Sequence, residues 1–145
     1  MSSRDLGTFV HALVARAHRR GAMDDSGLAS LADQLAAGGS GSVLSDVERR
    51  RCIAIGAHLL ASVQRKPGGG LVFEAPYSRR LDDGRIERGV IDCLVFDGNA
   101  IEVLEFKTGA AQAQHSDQLE AYVAAVRAAY PARHVEGRLV YVQAP

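Results

Sequence analysis

Two acids and a lysine are the residues whose types and spacing in this chain best suit catalysis. Asp92 lies within an apolar strand pattern, and Glu105 and Lys107 alternate with apolar residues in the next one. The turn Gly98-Asn99 between the two patterns is typical of a β-hairpin. A hairpin centred on that turn places Asp92 directly opposite Glu105, with Lys107 on the same face as Glu105. The sequence therefore predicts two carboxylates and an ammonium close together on a sheet.

Opposed acids of this kind need a compensating charge. Like charges directly opposite each other destabilise a strand pair, and burying them adds a large desolvation cost. A divalent cation such as Mg²⁺ or Mn²⁺ prefers oxygen ligands and is held by one or two carboxylates. The backbone carbonyl of Phe106 is a candidate further ligand, and Lys107 is placed to steady an attacking hydroxide and a phosphate. The alternative is a solvated sheet face, which suits Asp97 and Glu102 better than Asp92 with its apolar neighbours.

A third acid is expected on the preceding strand. The loop Asp82-Asp83-Gly84 has the length and the glycine of a bulged three-residue hairpin. Its register puts Glu74 level with Asp92, which makes Glu74 a candidate additional metal ligand. Pro76 in the same strand favours a sheet edge, because proline cannot donate to a strand ladder. Residues 85–88 are too polar to fix this register from the sequence alone.

The elements that position these residues follow from changes in hydrophobic period. Helical patterns open the chain, over 7–20, 28–37 and 45–64. Strand patterns follow over 71–81, 86–96 and 100–107, then a helix over 116–130 and a strand over 135–143. This order predicts an α/β fold in which a central mixed sheet, containing a three-stranded antiparallel meander, is flanked by helices.

Composition limits the function classes. The 145 residues carry 17 Lys+Arg and 17 Asp+Glu, and 47% of them are hydrophobic. These values are typical of one globular domain and argue against nucleic-acid binding by bulk charge alone. Two cysteines in apolar stretches favour reduced thiols and a cytoplasmic location. No apolar run approaches the length that spans a bilayer, so no membrane partner is expected.

Four sequence segments match one nuclease family in combination. They are Leu6-Gly7-Thr8-Phe9-Val10-His11-Ala12-Leu13, Gly89-Val90-Ile91-Asp92, Glu105-Phe106-Lys107-Thr108-Gly109 and Gln118-Leu119-x-x-Tyr122. Together they resemble the RecB-like branch of the PD-(D/E)XK nucleases, especially the C-terminal nuclease domain of UvrD-type helicase-nucleases of the RecB and AddA kind. None of the segments is specific alone. The combination of the lysine motif with the glutamine-tyrosine motif is specific.

The resemblance implies a restriction-endonuclease-like core in a single domain over 1–145, with a helical part over 1–66 and a nuclease core over 71–145. It implies that Asp92, Glu105 and His11 bind Mg²⁺ or Mn²⁺ and that Lys107 is catalytic. The resemblance further implies Glu74 at the metal, and Gln118 and Tyr122 beside the DNA or supporting Lys107. The Phe106 carbonyl stays a candidate ligand from its position alone. His58, on the third predicted helix, is the alternative histidine. The family often has Asp where this chain has Glu105, which is one methylene longer.

The implied activity is metal-dependent hydrolysis of DNA phosphodiester bonds, in DNA repair or recombination with a helicase partner. The sequence itself contains no helicase motif. One alternative is a catalytically inactive nuclease-like module that binds DNA or a helicase subunit. Another is a metal-dependent hydrolase of a smaller phosphoester. An intact set of Asp92, Glu105 and Lys107 favours the nuclease, because a scaffold has no reason to keep opposed acids.

Overall fold

The structure is a computed structural model that describes residues 2–21, 24–38, 44–63 and 69–142. Its elements are α1 (Ser3–Arg20), α2 (Asp25–Ala37), α3 (Asp46–Ser62), β1 (Gly70–Arg80), β2 (Ile86–Asp97), β3 (Ala100–Thr108), α4 (Ala113–Ala129) and β4 (His134–Val142). This is the predicted order of helices, meander, helix and strand. The chain forms two compact units, one containing α1, α2 and α3, the other containing the three strands of the meander, α4 and most of β4.

The helical unit has well-capped helices. Side-chain oxygens of Ser2, Asp24 and Ser45 accept backbone N–H groups in the first turns of α1, α2 and α3. The spacing Ser45-x-x-Glu48 in the sequence predicts a capping box, and the structure confirms it at the start of α3. The largest fully buried side chains of this unit are Val10, Leu13, Val14, Leu28, Ile55 and Leu59. In the described residues, no helix of either unit has the length and apolar character that crossing a membrane requires.

The second unit is built on a four-stranded sheet in the order β1-β2-β3-β4. β1 pairs with β2 and β2 with β3, both antiparallel, which is the predicted meander. β4 runs in the direction of β3, because His134 donates its N–H to the carbonyl of Asn99 and Arg138 bonds Glu102 farther along. The sheet is therefore mixed, and the predicted α/β class is confirmed.

Helix α4 covers part of this sheet and completes the core of the second unit. The helix residues in this core are Tyr122, Val123 and Val126. The sheet contributes Ala75, Ile91, Leu94, Ile101, Val103 and Val135. The apolar sides of helix and sheet are buried against each other, so α4 is held at a defined position over the strands.

Both hairpin registers agree with the sequence predictions. In the second hairpin, Asp97 pairs with Ala100 around the turn, and pairing continues to Cys93 with Leu104. In the first, Leu81 donates its N–H to the Arg85 carbonyl across the three-residue loop. Gly84 in that loop has φ +84°, the left-handed region that favours glycine. β1 is at the edge of the sheet, as its proline predicts.

The boundary predicted between helical part and core lies between α3, which ends at Ser62, and β1, which begins at Gly70. The segment Pro67-Gly68-Gly69-Gly70 in the sequence predicts the end of the third helix, but residues 64–68 lie outside the described residues. The predicted elements differ from the observed ones by a few residues at their ends, most at α1 and α4. Such ends depend on capping contacts more than on hydrophobic period.

Candidate functional site

The candidate site lies where β2 and β3 separate. The ladder of this hairpin ends at Cys93 with Leu104, one position before Asp92 and Glu105 would pair. Asp92 Oδ2 accepts the N–H of Phe106 at 2.7 Å and so replaces a strand carbonyl as the acceptor. Asp92 is 8% exposed. The predicted register is confirmed up to the last ladder pair, and the side chain of Asp92 then bonds the backbone beyond Glu105.

Glu74 reaches the same region from β1. The pairs Phe73–Cys93 and Ala75–Ile91 bracket it, which confirms the register that places Glu74 level with Asp92. Glu74 has φ +53°, an uncommon backbone conformation for a residue with a side chain. Such local irregularities re-aim a side chain within a strand. This backbone conformation therefore sets the direction of the Glu74 side chain.

Glu74 and Asp92 form a candidate acidic metal site. A carboxylate oxygen of each lies within 4.8 Å of the other, close enough for two ligands of one divalent cation. Two carboxylates this close in a partly buried setting repel each other unless a positive charge is shared between them. Oxygen donors of this kind suit a hard cation better than a soft one.

Glu105 and Lys107 form an ion pair on β3. Lys107 Nζ donates to Glu105 Oε1 at 3.0 Å. Glu105 is 4% exposed, so the ammonium compensates a carboxylate that is removed from water. The prediction that these two residues share one face of β3 is therefore confirmed.

Helix α4 holds Lys107 from the other side. Lys107 Nζ donates to Gln118 Oε1 at 2.7 Å, and Gln118 Nε2 donates to the hydroxyl of Tyr122 at 2.9 Å. Gln118 and Tyr122 are one helical turn apart, so both lie on the same side of α4. Burial and then the charge of Glu105 raise the pKa of Tyr122, so its hydroxyl stays protonated at neutral pH. Of the two predicted roles for Gln118 and Tyr122, the contacts match support of Lys107.

The β1–β2 hairpin in turn holds Tyr122. The ring of Tyr77 meets the ring of Tyr122 edge-on, with centroids 5.5 Å apart. Tyr77 lies over Gly89, where an added Cβ would be 2.7 Å from its Cε1. Sequence reasoning missed Tyr77 and treated Gly89 only as part of a motif. The usable signal was the register itself, which makes Tyr77 and Gly89 direct cross-strand partners.

The predicted histidines lie in the helical unit. His11 is half-buried in the middle of α1, and His58 is exposed on α3. The assignment of His11 as a metal ligand stays a prediction, and so does that of the Phe106 carbonyl. The contact that the structure gives Phe106 is through its N–H, to Asp92.

The two cysteines are excluded as nucleophiles. Both are buried free thiols, as their apolar surroundings predict. Burial, and next the charge of Asp92, raise the pKa of Cys93 to about 12, and burial raises that of Cys52 to about 11. A thiol with such a pKa is almost entirely protonated at neutral pH and does not attack. The chemistry of the site therefore depends on carboxylates and an ammonium.

Comparison with known proteins identifies the family of the chain. No curated protein matches the sequence. A crystal structure of protein VC1899 from Vibrio cholerae is similar, with a TM-score of 0.42 and 16% sequence identity, over 96% of this chain and 42% of that one. This chain thus corresponds to less than half the length of that protein. A model of the PD-(D/E)XK nuclease superfamily matches residues 1–145. Because this match extends over the whole chain, and the mixed sheet is consistent with a restriction-endonuclease-like core, the chain belongs to the PD-(D/E)XK nuclease superfamily.

Proposed function

We propose that the protein is a deoxyribonuclease that hydrolyses DNA phosphodiester bonds with Mg²⁺ or Mn²⁺. The observation that carries this proposal is the pair of carboxylates, Glu74 and Asp92, within 4.8 Å of each other. The Glu105–Lys107 ion pair lies on the strand whose backbone Asp92 contacts. Membership in the superfamily supports a nuclease and DNA as the substrate.

The donor set fits a hard divalent cation. Asp92, Glu74 and Glu105 would hold it through carboxylate oxygens and Phe106 through its carbonyl, and His11 would add a nitrogen ligand. When bound, the cation supplies Lewis-acid stabilisation of the charge that builds up on the phosphate. Magnesium and manganese share the preference for oxygen ligands, and both are therefore included in the proposal.

Lys107 supplies the positively charged side chain that the protein itself contributes at the candidate site. An ammonium has three N–H donors, and in the described contacts two of them are directed at Glu105 and Gln118. The third is available to a phosphate oxygen of the substrate. Because both partners of Lys107 lie on regular secondary structure, the ammonium is oriented before the substrate arrives, which lowers the cost of reorganisation.

The test is cleavage of circular and linear DNA by wild type and Lys107→Ala, each with MgCl₂, MnCl₂ or EDTA. We expect cleavage only with a divalent metal, and about 10²- to 10⁴-fold less of it in Lys107→Ala. Equal activity in both proteins would indicate a contaminating nuclease and contradict the proposal. DNA binding by wild type without metal-stimulated cleavage would indicate the inactive module instead.

Gln118→Ala is expected to lower the cleavage rate about 10- to 100-fold, the usual effect of removing a group that orients a catalytic side chain. The reason is the loss of the 2.7 Å bond that holds Lys107 Nζ. Gln114→Ala is the matched control, because Gln114 lies one turn earlier on α4 and its amide bonds only Gln112 in the described contacts. Initial rates with a labelled oligonucleotide measure the effect. Equal rates in the two variants would rule out support by Gln118.

The finer part of the proposal concerns the branch of the superfamily. We propose a RecB-like nuclease in which residues 1–145 form one domain and a helicase domain or subunit delivers the DNA, in cytoplasmic repair or recombination. Support comes from the segment Leu6 to His11 at the start of the chain and from the bonded pair Gln118 and Tyr122. A net charge of zero also favours delivery by a partner, because the domain attracts DNA weakly.

A further inference from the structure

The outer half of the β1–β2 hairpin has two chemically different faces. On one face, Glu87 accepts hydrogen bonds from Arg79 Nε and from the Tyr77 hydroxyl, each at 3.1 Å. The charge of Arg79 is therefore compensated. The cross-strand pairs Arg80–Ile86, Ser78–Arg88 and Pro76–Val90 make up the opposite face, and all six of these residues are exposed.

The arginines of this second face carry uncompensated charge. Arg79 pairs with Glu87, and Arg85 at the hairpin tip pairs with Asp83. Neither Arg80 nor Arg88 forms an ion pair within the part of the chain that the structure describes. Of the four arginines of this hairpin, two form ion pairs, and Arg80 and Arg88 remain available to a partner.

Apolar side chains alternate with the arginines on the same face. Ile86 is 49% exposed and Val90 is 46% exposed, so the face offers apolar area beside its two arginines. Along β2, Ile86, Arg88 and Val90 alternate with the other face and so point to one side. The alternation is interrupted near Asp92, because Ile91 and Leu94 both belong to the core against α4. At a rise of about 3.3 Å per residue, Arg88 is about 13 Å from Asp92 along the strand.

This row of residues has the chemistry of a surface for unpaired nucleotides. Binding of single strands combines a positively charged groove along the phosphates with side chains, mostly aromatic, on which bases stack. On this face Ile86 and Val90 offer the bases aliphatic contact in place of a ring. A duplex keeps its bases stacked inside and presents phosphates and sugars, to which exposed Ile86 and Val90 offer nothing. We propose that this face binds the single-stranded DNA that leads to the candidate site, with Arg80 and Arg88 at its phosphates. The inference rests on the proposed nuclease function for its substrate class.

The experiment measures binding of a fluorescein-labelled oligothymidylate of about 16 nucleotides, the upper range for such surfaces. EDTA is present throughout, so that cleavage plays no part. The variant is Arg80→Gln with Arg88→Gln. The control is Arg85→Gln with Arg138→Gln, which removes the same charge from two ion-paired arginines, one at the hairpin tip and one on β4. We expect weaker binding by the first variant alone, and a slope of log K against log salt that is smaller by about 1.4, or about 0.7 for each phosphate contact.

Equal affinity and equal slope in wild type and the Arg80/Arg88 variant would overturn the inference. An equally large loss of binding to a duplex of the same length would overturn the assignment to a single strand. The proposed function fails independently, since it is tested by metal-dependent cleavage. If wild type cleaves DNA while the variant binds the oligonucleotide normally, the nuclease stands and this surface does not.

Discussion

Asp92→Asn is expected to lower metal-dependent DNA cleavage at least about 100-fold while the protein stays folded. Asparagine keeps a side-chain oxygen that can accept the N–H of Phe106, so the junction of β2 and β3 is retained. It removes the negative charge that lies beside Glu74 and would bind a divalent cation. The variant therefore separates the electrostatic role of Asp92 from its structural role.

Thermal unfolding with and without MnCl₂ measures metal binding by the same variant and does not depend on cleavage. A ligand at 100 times its Kd stabilises a folded protein by about 2.7 kcal/mol, so wild type is expected to unfold at a higher temperature with Mn²⁺. Asp92→Asn is expected to respond much less. Asp97→Asn, at the exposed end of the same strand, is the control and keeps the full response. Wild-type cleavage and a wild-type response to Mn²⁺ in Asp92→Asn would contradict the assignment of Asp92.

Asp92→Ala adds a structural contrast. Alanine removes the acceptor of the buried Phe106 N–H, and a buried donor that loses its acceptor costs about 1–3 kcal/mol. We therefore expect the metal-free Asp92→Ala protein to be less stable than Asp92→Asn by that amount. Equal stability would show that the bond to Phe106 contributes little to holding the strands at this point.

The second large effect is expected at Gly137 on β4, where Gly137→Ala should lower the free energy of unfolding by about 1–3 kcal/mol, as overpacking does. A Cβ at this position would lie 2.5 Å from Cγ2 of Val123 and 3.1 Å from the side chain of Leu119. The backbone of β4 thus touches α4 directly, and any added atom forces them apart. Since α4 also carries the residues that hold Lys107, cleavage is expected to fall as well. Denaturation by urea and initial cleavage rates measure the two consequences.

Gly70→Ala is the control for Gly137→Ala, because nothing lies within 4 Å of a Cβ added at Gly70. Its stability is expected within about 1 kcal/mol of wild type. Adding Val123→Ala to Gly137→Ala removes the clashing methyl groups, so the double variant should be more stable than the sum of the two single changes predicts. Strict additivity would mean that Val123 and the new methyl group do not meet.

Local features of the chain predicted both hairpins, but residues 85–88 are too polar to fix the register of the first one, which the structure confirmed. The turn at Gly98-Asn99 and the loop before Arg85 set the registers, because turn geometry and strand alternation act between near neighbours. These patterns predicted that Glu74 lies level with Asp92 and that Lys107 shares a face of β3 with Glu105. They also predicted the capping box at Ser45. Sequence reasoning missed that β2 and β3 separate beyond the pair Cys93–Leu104, at Asp92. The hydrogen bond from the Phe106 N–H to Asp92 replaces a ladder bond there, and this contact exists only in the folded chain.

Contacts between distant segments were beyond the reach of such patterns. No local pattern pairs Arg138 on β4 with Glu102 on β3, which lies 36 positions earlier in the chain. The space requirement at Gly137 likewise depends on how closely α4 approaches β4. The types and order of the chemical groups follow from turn chemistry and periodicity, which are local. Close packing of segments far apart in the chain decides which charges are compensated and where only glycine fits beside a helix. Both therefore required the tertiary structure.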